Sequence, residues 1–440
     1  MDITFGTDGI RGPVVSTITP DLCLRIGQAA GYVLKQEGLD TVLIGKDTRV
    51  SGYMLESALE AGFISAGVNV RLLGPLPTPG VAYLAKSSRG HFGLVISASH
   101  NSYEDNGIKI FDGNGEKISK HLQVKIEKLL NSNDFKIVSS DKLGKAKRFD
   151  ESGDRYVEFC KSTVPTNLSF KGLRIVIDCA HGAAYKVTPT IFQELGAEVI
   201  VIGASPNGYN INEKCGSTHP ELAKQVVLDH RADFGISLDG DADRVKLIDS
   251  TGRILDGDDI LYILASGNPN RIGPWSGIVG TVMSNLGLEN ALKNLGYEFE
   301  RSDVGDTYVS QILASKGWSL GGEPSGHIIC RDQVSTGDGT VAALKTISTL
   351  LMMQKSVTEV LKDFQRVPQI EISLNVHDKN IINQEDIKNR IQKIKNDLPF
   401  GRILVRPSGT ESKIRIMVEA ESEALANRYA KDLASLFKHD

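Results

Sequence analysis

Only 5 of the 440 residues are cysteine, at positions 23, 160, 179, 215 and 330, and no two of them form a CxxC pair. That spacing excludes a disulfide framework and a zinc knuckle. The odd count fits reduced, buried thiols in a cytoplasmic protein. Long apolar runs are missing too: none approaches the roughly 20 residues that span a bilayer, so no membrane partner is expected. The opening MDITFGTDGIRG has neither the basic nor the apolar region of a signal peptide, which adds to the expectation of a cytoplasmic location. Positive charge is not in excess. Fifty Lys and Arg stand against 54 Asp and Glu, a net charge of −4, so no broad positive field points to nucleic acid or an anionic surface.

What is present is an ordinary soluble composition, 40% hydrophobic and 24% charged, in a chain too long for one core. Length suggests two to four domains. Short β-branched runs alternate with helical stretches, the pattern of α/β architecture. One unit recurs three times. Strands predicted over 41–47, 174–178 and 277–282 each lead through a turn into a helix, then a glycine (Gly67, Gly196, Gly296) and another strand. Each unit closes with a third strand, predicted at 92–96, at 234–238 and, more weakly, at 318–320. The polar stretch from Asn131 to Arg155 separates the first unit from the second, and Asp249 to Gly252 turns into the third. Beyond Pro368 the pattern changes to strands including 401–406 and 413–420 and a helix over 421–437. The expectation is three similar α/β domains with mixed sheets (1–150, 151–251, 252–366) and a smaller α+β domain (367–440).

Ligands gather at the carboxyl ends of strands in open α/β sheets. The loops that follow the three closing strands are SASHN, DGDADR and GGEPSGH, so the repeat could turn all three toward one cleft. In the first, Ser99 and His100 read either as a reactive group or as a polar turn. Adjacency does not make a catalytic triad, because neighbouring side chains in extended chain point to opposite faces, and no hydrolase nucleophile elbow is expected. In the second, Asp239, Asp241 and Asp243 alternate, which in extended chain puts three carboxylates on one face. An EF-hand would need Gly and Glu where Arg244 and Ser250 stand. Crowded carboxylates repel unless a cation neutralises them, so a metal is favoured over a solvated turn. A serine beside such a site makes sense as a phosphoryl carrier, the metal neutralising the transferring group. Lys109 would then add positive charge or a proton relay, unless it is simply a solvated residue after an Asn106-Gly107 turn. Arg406-Pro407-Ser408-Gly409-Thr410 reads equally well as a hairpin turn and, with Arg415, as a phosphate cradle. Gly321 to His327 likewise reads as a turn, and its Glu323, Ser325 and His327 also offer groups suited to sugar hydroxyls or an amine.

In order along the chain, FGTDGIRG (5–12), ISASHN (96–101), DGDADR (239–244), GGEPSGH (321–327), STGDG (335–339) and RPSGTE (406–411) resemble the α-D-phosphohexomutases. Within that superfamily they are most similar to the bacterial-type phosphoglucosamine mutases. The resemblance spans essentially the whole chain. It implies four domains around a central cleft and the interconversion of glucosamine 6-phosphate and glucosamine 1-phosphate through a 1,6-bisphosphate, on the route to UDP-N-acetylglucosamine. Ser99 would be carried as phosphoserine, and its phosphate would join Asp239, Asp241 and Asp243 in binding one Mg²⁺. Arg11, His100, Lys109 and Arg244 would form the reacting centre. Glu323, Ser325 and His327 would contact the sugar, and Arg406, Ser408, Gly409, Thr410 and Arg415 would hold its non-reacting phosphate. The partner is then a small phosphosugar, met by a monomer or homodimer. Pro324, Thr307 and Ser412 depart from the family pattern (Gln, Arg and Pro); these changes bear on the finer sugar contacts and leave the phosphoryl machinery intact. The rival readings are a mutase of mannose or glucose phosphates, a metal-dependent phosphatase with an Asp nucleophile, and a sugar-phosphate sensor without turnover.

Overall fold

The computed structural model describes residues 3–6, 8–88, 91–132, 134–408 and 412–437. Four sheets are present among them, one per domain. In domain I the strand order is Ile10–Pro13, Asp105–Phe111, Phe92–Ile96, Thr41–Lys46, Asn69–Pro75 and Ala146–Arg148. The last four of these run parallel, and the first two are added antiparallel. Strand Ala146–Arg148 falls within the stretch expected to separate the first two units; it is an edge strand of the first sheet. Helices Pro20–Gln36 and Ser51–Ser65 cross closely because both carry glycine at the contact. A Cβ on Gly62 would lie 2.3 Å from the Leu24 carbonyl oxygen.

Domain II has five strands, in the order Ile254–Leu255, Val245–Asp249, Phe234–Leu238, Arg174–Asp178 and Glu198–Ile202. The first of these lies past the expected boundary at 251, because the chain turns back to pair with Val245–Asp249. Domain III has four: Glu298–Ser302, Gly277–Thr281, Leu320–Gly322 and Ile328–Cys330. Its closing strand begins at Leu320, two residues later than predicted, so the first two glycines of GGEPSGH belong to the strand. Domain IV is a three-stranded antiparallel sheet, Gln369–Asn375, Lys413–Ala420 and Gly401–Pro407, backed by helices Glu385–Asp397 and Glu423–Ser435.

Packing groups these domains unequally. One apolar core runs without a break from Leu43, Val81 and Phe111 in domain I, through Tyr156, Ile175 and Ile236 in domain II, to Leu261, Ile278 and Leu344 in domain III. Full burial of such a side chain contributes roughly 1.5–3 kcal/mol, so the first three domains are held to each other as well as internally. Domain IV has its own core around Ile391, Ile416 and Leu433. All five cysteines are buried and unbridged, as their spacing suggested. No helix among the described residues is long and apolar enough to cross a membrane.

Candidate active site

Where the apolar strand Phe92–Ile96 ends, Ser97, Ala98 and Ser99 turn into the junction between domains I and II. Ser99 is buried, not exposed, and its φ of 54° is left-handed. That backbone costs a non-glycine residue roughly 1–3 kcal/mol, so surrounding contacts must hold it. Its hydroxyl donates to Asp239 Oδ2 at 2.6 Å, from one domain to the next. The turn also overturns the expectation that Ser99 and His100 point apart: His100 Nδ1 lies 3.5 Å from Ser99 Oγ because the chain is not extended here. Burial, then Arg244 and Arg11, push His100 down to about 4, leaving it neutral at physiological pH.

Asp239, Asp241 and Asp243 follow strand Phe234–Leu238 and are all buried. They do converge, one oxygen of each lying within 4.8 Å of the others. Extended alternation is not the cause. Ala242 takes a left-handed φ of 57° and donates its N–H to the Asp239 carbonyl at 3.0 Å, so a tight turn folds the carboxylates together. Burial, followed by Asp243 and Asp241, pushes Asp239 well above the usual carboxylate range. Burial works against ionised Asp243 as well, but Lys109, His327 and Arg244 hold it well below. Asp241 Oδ1 and Asp243 Oδ1 are buried without a hydrogen-bond partner among the described residues. Orphaned carboxylate oxygens are costly. Hard oxygen donors with spare lone pairs are what a small divalent cation requires, so the residues present fit a metal.

Lys109 is not the solvated residue that a turn at Asn106-Gly107 would give. Both lie within strand Asp105–Phe111, which aims the ammonium inward, where it is buried. Its Nζ lies 2.8 Å from Asp241, 3.1 Å from Asp243 and 3.3 Å from Asp8. Burial alone would lower its pKa, but Asp241, Asp243 and Asp8 hold it above the ordinary lysine range. Thr78 Oγ1 donates to the same Asp241 oxygen at 2.6 Å, leaving Oδ1 as the free one. Asp8 also pairs with Arg11 and, at 2.7 Å, with Lys117, which reaches Asp306 in domain III at 2.5 Å. Lys117 and Asp306 help line a cavity of about 750 Å³ between domains I and III.

The third loop meets the second. Arg244 and His327 form a β-bridge, and Gly326 accepts from Val245 N at 3.1 Å. His327 is buried against the carboxylates, 3.8 Å from Asp243 through Nδ1 and 3.8 Å from Asp306 through Nε2. Burial favours its neutral form, yet Asp243, Asp306 and Glu323 together push its pKa up to about 9. Arg244 Nε stands 3.9 Å from Asp243. Glu323 is buried and accepts from Gly305 N at 3.0 Å, while the Ser325 hydroxyl is buried with no partner among the described residues. Gly317-Trp318-Ser319-Leu320-Gly321 does spell G-x-S-x-G, which qualifies the expectation of no elbow. Ser319 precedes its strand and donates its N–H to the Pro274 carbonyl at 2.7 Å, so it does not sit at a strand-to-helix elbow.

Comparison with known proteins agrees with this geometry. Phosphoglucomutase/phosphomannomutase alpha/beta/alpha domains I, II and III match residues 2–137, 154–252 and 256–367, and the C-terminal domain of that family matches 371–436. The chain belongs to the phosphohexomutase superfamily. A phosphoglucosamine mutase from Polynucleobacter asymbioticus is 51% identical over 439 residues, with 98% of each chain covered. One from Pseudomonas fluorescens is 49% identical, also with 98% of each chain covered. In three dimensions, a phosphoglucomutase/phosphomannomutase family protein from Burkholderia thailandensis superposes with a TM-score of 0.82 at 24% identity, covering 98% of this chain and 96% of that one. The N-acetylphosphoglucosamine mutase of Aspergillus fumigatus, in complex with GlcNAc-6P and magnesium, gives 0.69 at 18%, covering 100% and 96%. At those identities the likeness concerns the fold.

Of the candidate residues of this phosphohexomutase, Ser99, His100, Lys109, Arg11, Arg244, the three Asp and His327 come together at one place. Arg406, Ser408 and Arg415 sit on domain IV, and the hydrogen bonds described for their loop stay within it: Ser408 N to the Lys413 carbonyl at 2.8 Å, and Lys379 Nζ to the Ser408 carbonyl at 3.2 Å. Gly409 and Thr410 lie outside the described residues. Arg406 and Arg415 face each other across the two strands, and Arg406 Nε is buried without a partner among the described residues. Burial and then Arg415 lower the Arg406 pKa, while Glu371 and Asp303 act the other way. Sequence reading missed Asp8, Thr78, Lys117 and Asp306. Asp8 lay inside the FGTDGIRG string, and Asp306 beside the noted Thr307. Thr78 and Lys117 carried no local signal, because only the folded chain brings them to the cluster.

Proposed function

We propose that this chain interconverts glucosamine 6-phosphate and glucosamine 1-phosphate through a phosphorylated Ser99. The observation that carries this reading is the 2.6 Å hydrogen bond from Ser99 Oγ to Asp239, which sets a buried hydroxyl of one domain against the three-carboxylate cluster of the next. The substrate follows from phosphoglucosamine mutases about half identical over nearly the whole chain.

In the forward direction the bond from phosphorus to Ser99 Oγ breaks as a bond to the sugar O1 forms, and the O1 proton passes through a base in the site to the freed Oγ. The resulting 1,6-bisphosphate turns end over end. Ser99 Oγ then takes the phosphoryl group from O6 as its proton passes back to O6, restoring phosphoserine and leaving glucosamine 1-phosphate. Asp239, Asp241 and Asp243 would hold Mg²⁺ with the Ser99 phosphate; bound there, the ion offsets the charge on the group in transfer. Lys109, buried and paired, and the partly exposed Arg11 and Arg244 supply positive charge around the same point, so little reorganisation of Lys109 is needed. Neutral His100 beside Oγ can exchange a proton with it. Glu323 and Ser325 offer the sugar a carboxylate and a hydroxyl that has no partner among the described residues. Arg406, Arg415 and the 408–410 loop would hold whichever phosphate is not reacting, and both orientations of the bisphosphate must fit there.

Two measurements test the reading. Mass spectrometry of the intact protein should find one phosphate, on the Ser99 peptide. Steady-state rates should give a kcat/KM for glucosamine 6-phosphate above those for glucose 6-phosphate and mannose 6-phosphate by roughly ten- to a hundredfold. That is the factor a charge-assisted bond from the C2 ammonium to Glu323 provides. Steady release of inorganic phosphate with no sugar 1-phosphate formed would replace this reading with a phosphatase.

A further inference from the structure

We propose that Arg49 and Asn212 form a two-domain clasp that positions Ser99 for phosphoryl transfer, a role that rests on the mutase reading above. Arg49 follows strand Thr41–Lys46 and is fully buried. Its Nε donates to Asp47 Oδ2 at 2.8 Å. Nη2 donates to the carbonyls of Ser99 and Asn101, each at 2.9 Å, and Nη1 to those of Asp105, at 3.2 Å, and Ser102. The guanidinium therefore places all five of its N–H groups, four of them on carbonyls of the loop that carries Ser99.

Asn212 reaches the same place from domain II. Its Nδ2 donates to the Ser99 carbonyl at 2.9 Å and to the Asn101 carbonyl at 3.0 Å. Each of these two carbonyls thus receives one donor from each domain. The other side of Ser99 is fixed as well: its N–H donates to Ser97 Oγ at 2.9 Å, and that hydroxyl donates to Asp47 Oδ2 at 2.6 Å. Both peptide groups of Ser99 are held by contacts that lead back to Asp47 and Asn212. Oγ is left to face Asp239. Gly240 allows this approach, since a Cβ there would fall 2.6 Å from the Ser99 carbonyl oxygen and 2.8 Å from Asn212 Nδ2.

These contacts account for the left-handed backbone of Ser99. They also answer a need particular to a carrier residue. Ser99 must present the same Oγ as a hydroxyl and as a phosphate ester, to two different sugar oxygens in turn. A loop that shifted when a phosphate arrived or left would lose alignment with the carboxylate cluster. A clasp shared by the domain that bears the serine and the domain that bears the carboxylates keeps that distance constant.

The test uses the full-length protein with Asn212→Ala and Arg49→Lys. Lysine keeps the charge but presents three donors from a point, not a fork of five. Misplacement of reacting atoms lowers rate more than binding, so Asn212→Ala should lose about ten- to a hundredfold in kcat. Its KM for glucosamine 6-phosphate, its Mg²⁺ titration and its thermal midpoint should stay near wild type. Arg49→Lys should lose more kcat with the same split; if it does not fold, Asn212→Ala decides alone. Unchanged kcat in Asn212→Ala overturns the clasp. So does a kcat loss that tracks a matching fall in thermal midpoint and rise in KM, since that is what a purely structural contact would give. If wild type shows no turnover of glucosamine 6-phosphate, the substrate reading fails. The clasp is then judged by phosphate transfer from glucose 1,6-bisphosphate to Ser99, followed by mass spectrometry, which should still be slowed in Asn212→Ala.

Discussion

The junction of domains I and II and the outer loop of domain IV would both handle phosphate, and they are built in opposite ways. At the junction, Ser99, Lys109 and the three Asp are buried, and hydrogen bonds cross from one domain to the next. A continuous apolar core lies beneath them. In domain IV, Arg415 is exposed, Arg406 is half-buried, and the loop stands on a separate core. Domain IV meets domain III through polar contacts of Asn285 with Val367, of Leu286 with Glu419 and of Ser284 with Arg402. The difference follows from the two tasks. On the proposed function, chemistry at Ser99 would require fixed alignment in a dry site, whereas the distal cradle would have to accept either end of a bisphosphate and let it turn. Rigid packing suits the first, and a lightly attached domain suits the second.

Ser99→Ala should have the largest effect, abolishing turnover to below about a hundredth of wild type, roughly 2.7 kcal/mol of barrier, with the thermal midpoint unchanged. Retention of a tenth or more of the rate would end the carrier role. Asp241→Asn comes next. It leaves two carboxylates for the cation and removes half of the pair with Lys109, so calorimetric Mg²⁺ affinity should fall by about tenfold or more. An isotherm identical to wild type would exclude the three-Asp loop as the metal site.

The outer loop should respond differently. Arg406→Ala removes a charged donor worth roughly 1.5–3 kcal/mol, so kcat/KM should fall about ten- to a hundredfold. Phosphate content on Ser99 and Mg²⁺ affinity should remain as in wild type. A loss of Ser99 phosphorylation in that variant would show that the two regions are coupled and would break the division drawn here.

Much of this was legible in the sequence because the repeat is local. Strands 92–96, 174–178 and 234–238 stand where β-branched runs placed them, and SASHN and DGDADR follow the first and last of these immediately. Local reading failed where backbone sign mattered. Extended alternation predicted the convergence of Asp239, Asp241 and Asp243 for the wrong reason, since a left-handed Ala242 brings them together; the same kind of turn at Ser99 sets His100 beside it. Residues that act over long chain separations were invisible. Thr78 meets Asp241 across 163 positions and Asn212 meets Ser99 across 113, and nothing near either residue announces a partner. Arg49, the largest fully buried side chain among the described residues, looked like one of fifty ordinary surface cations.

The two regions also neutralise their buried carboxylates differently, and pH can separate them. At the reacting centre Asp243 is held ionised by Lys109, His327 and Arg244. At the attachment of domain IV, Asp258 lies buried at the start of helix Gly257–Gly267, accepting from Asn285 N at 2.8 Å. Asn285 in turn holds both the N–H and the carbonyl of Val367, the lead into domain IV. Burial and then neighbouring Asp256 push Asp258 up to about 7. A carboxyl with a raised folded-state pKa stabilises the fold in its protonated form, fully so below its unfolded value of 3.8, and that contribution is lost as pH rises through about 7. Asp258→Asn keeps a carbonyl for Asn285 N and removes the titration. Denaturation of the pair at pH 5 and pH 8 should therefore show the variant gaining on wild type by on the order of 1–3 kcal/mol at the higher pH. An equal difference at both pH values would mean that Asp258 stays ionised across the range, held by Arg366 and Lys246. The domain IV attachment would then use the same ion pairing as the reacting centre, and the contrast between them would rest on packing alone.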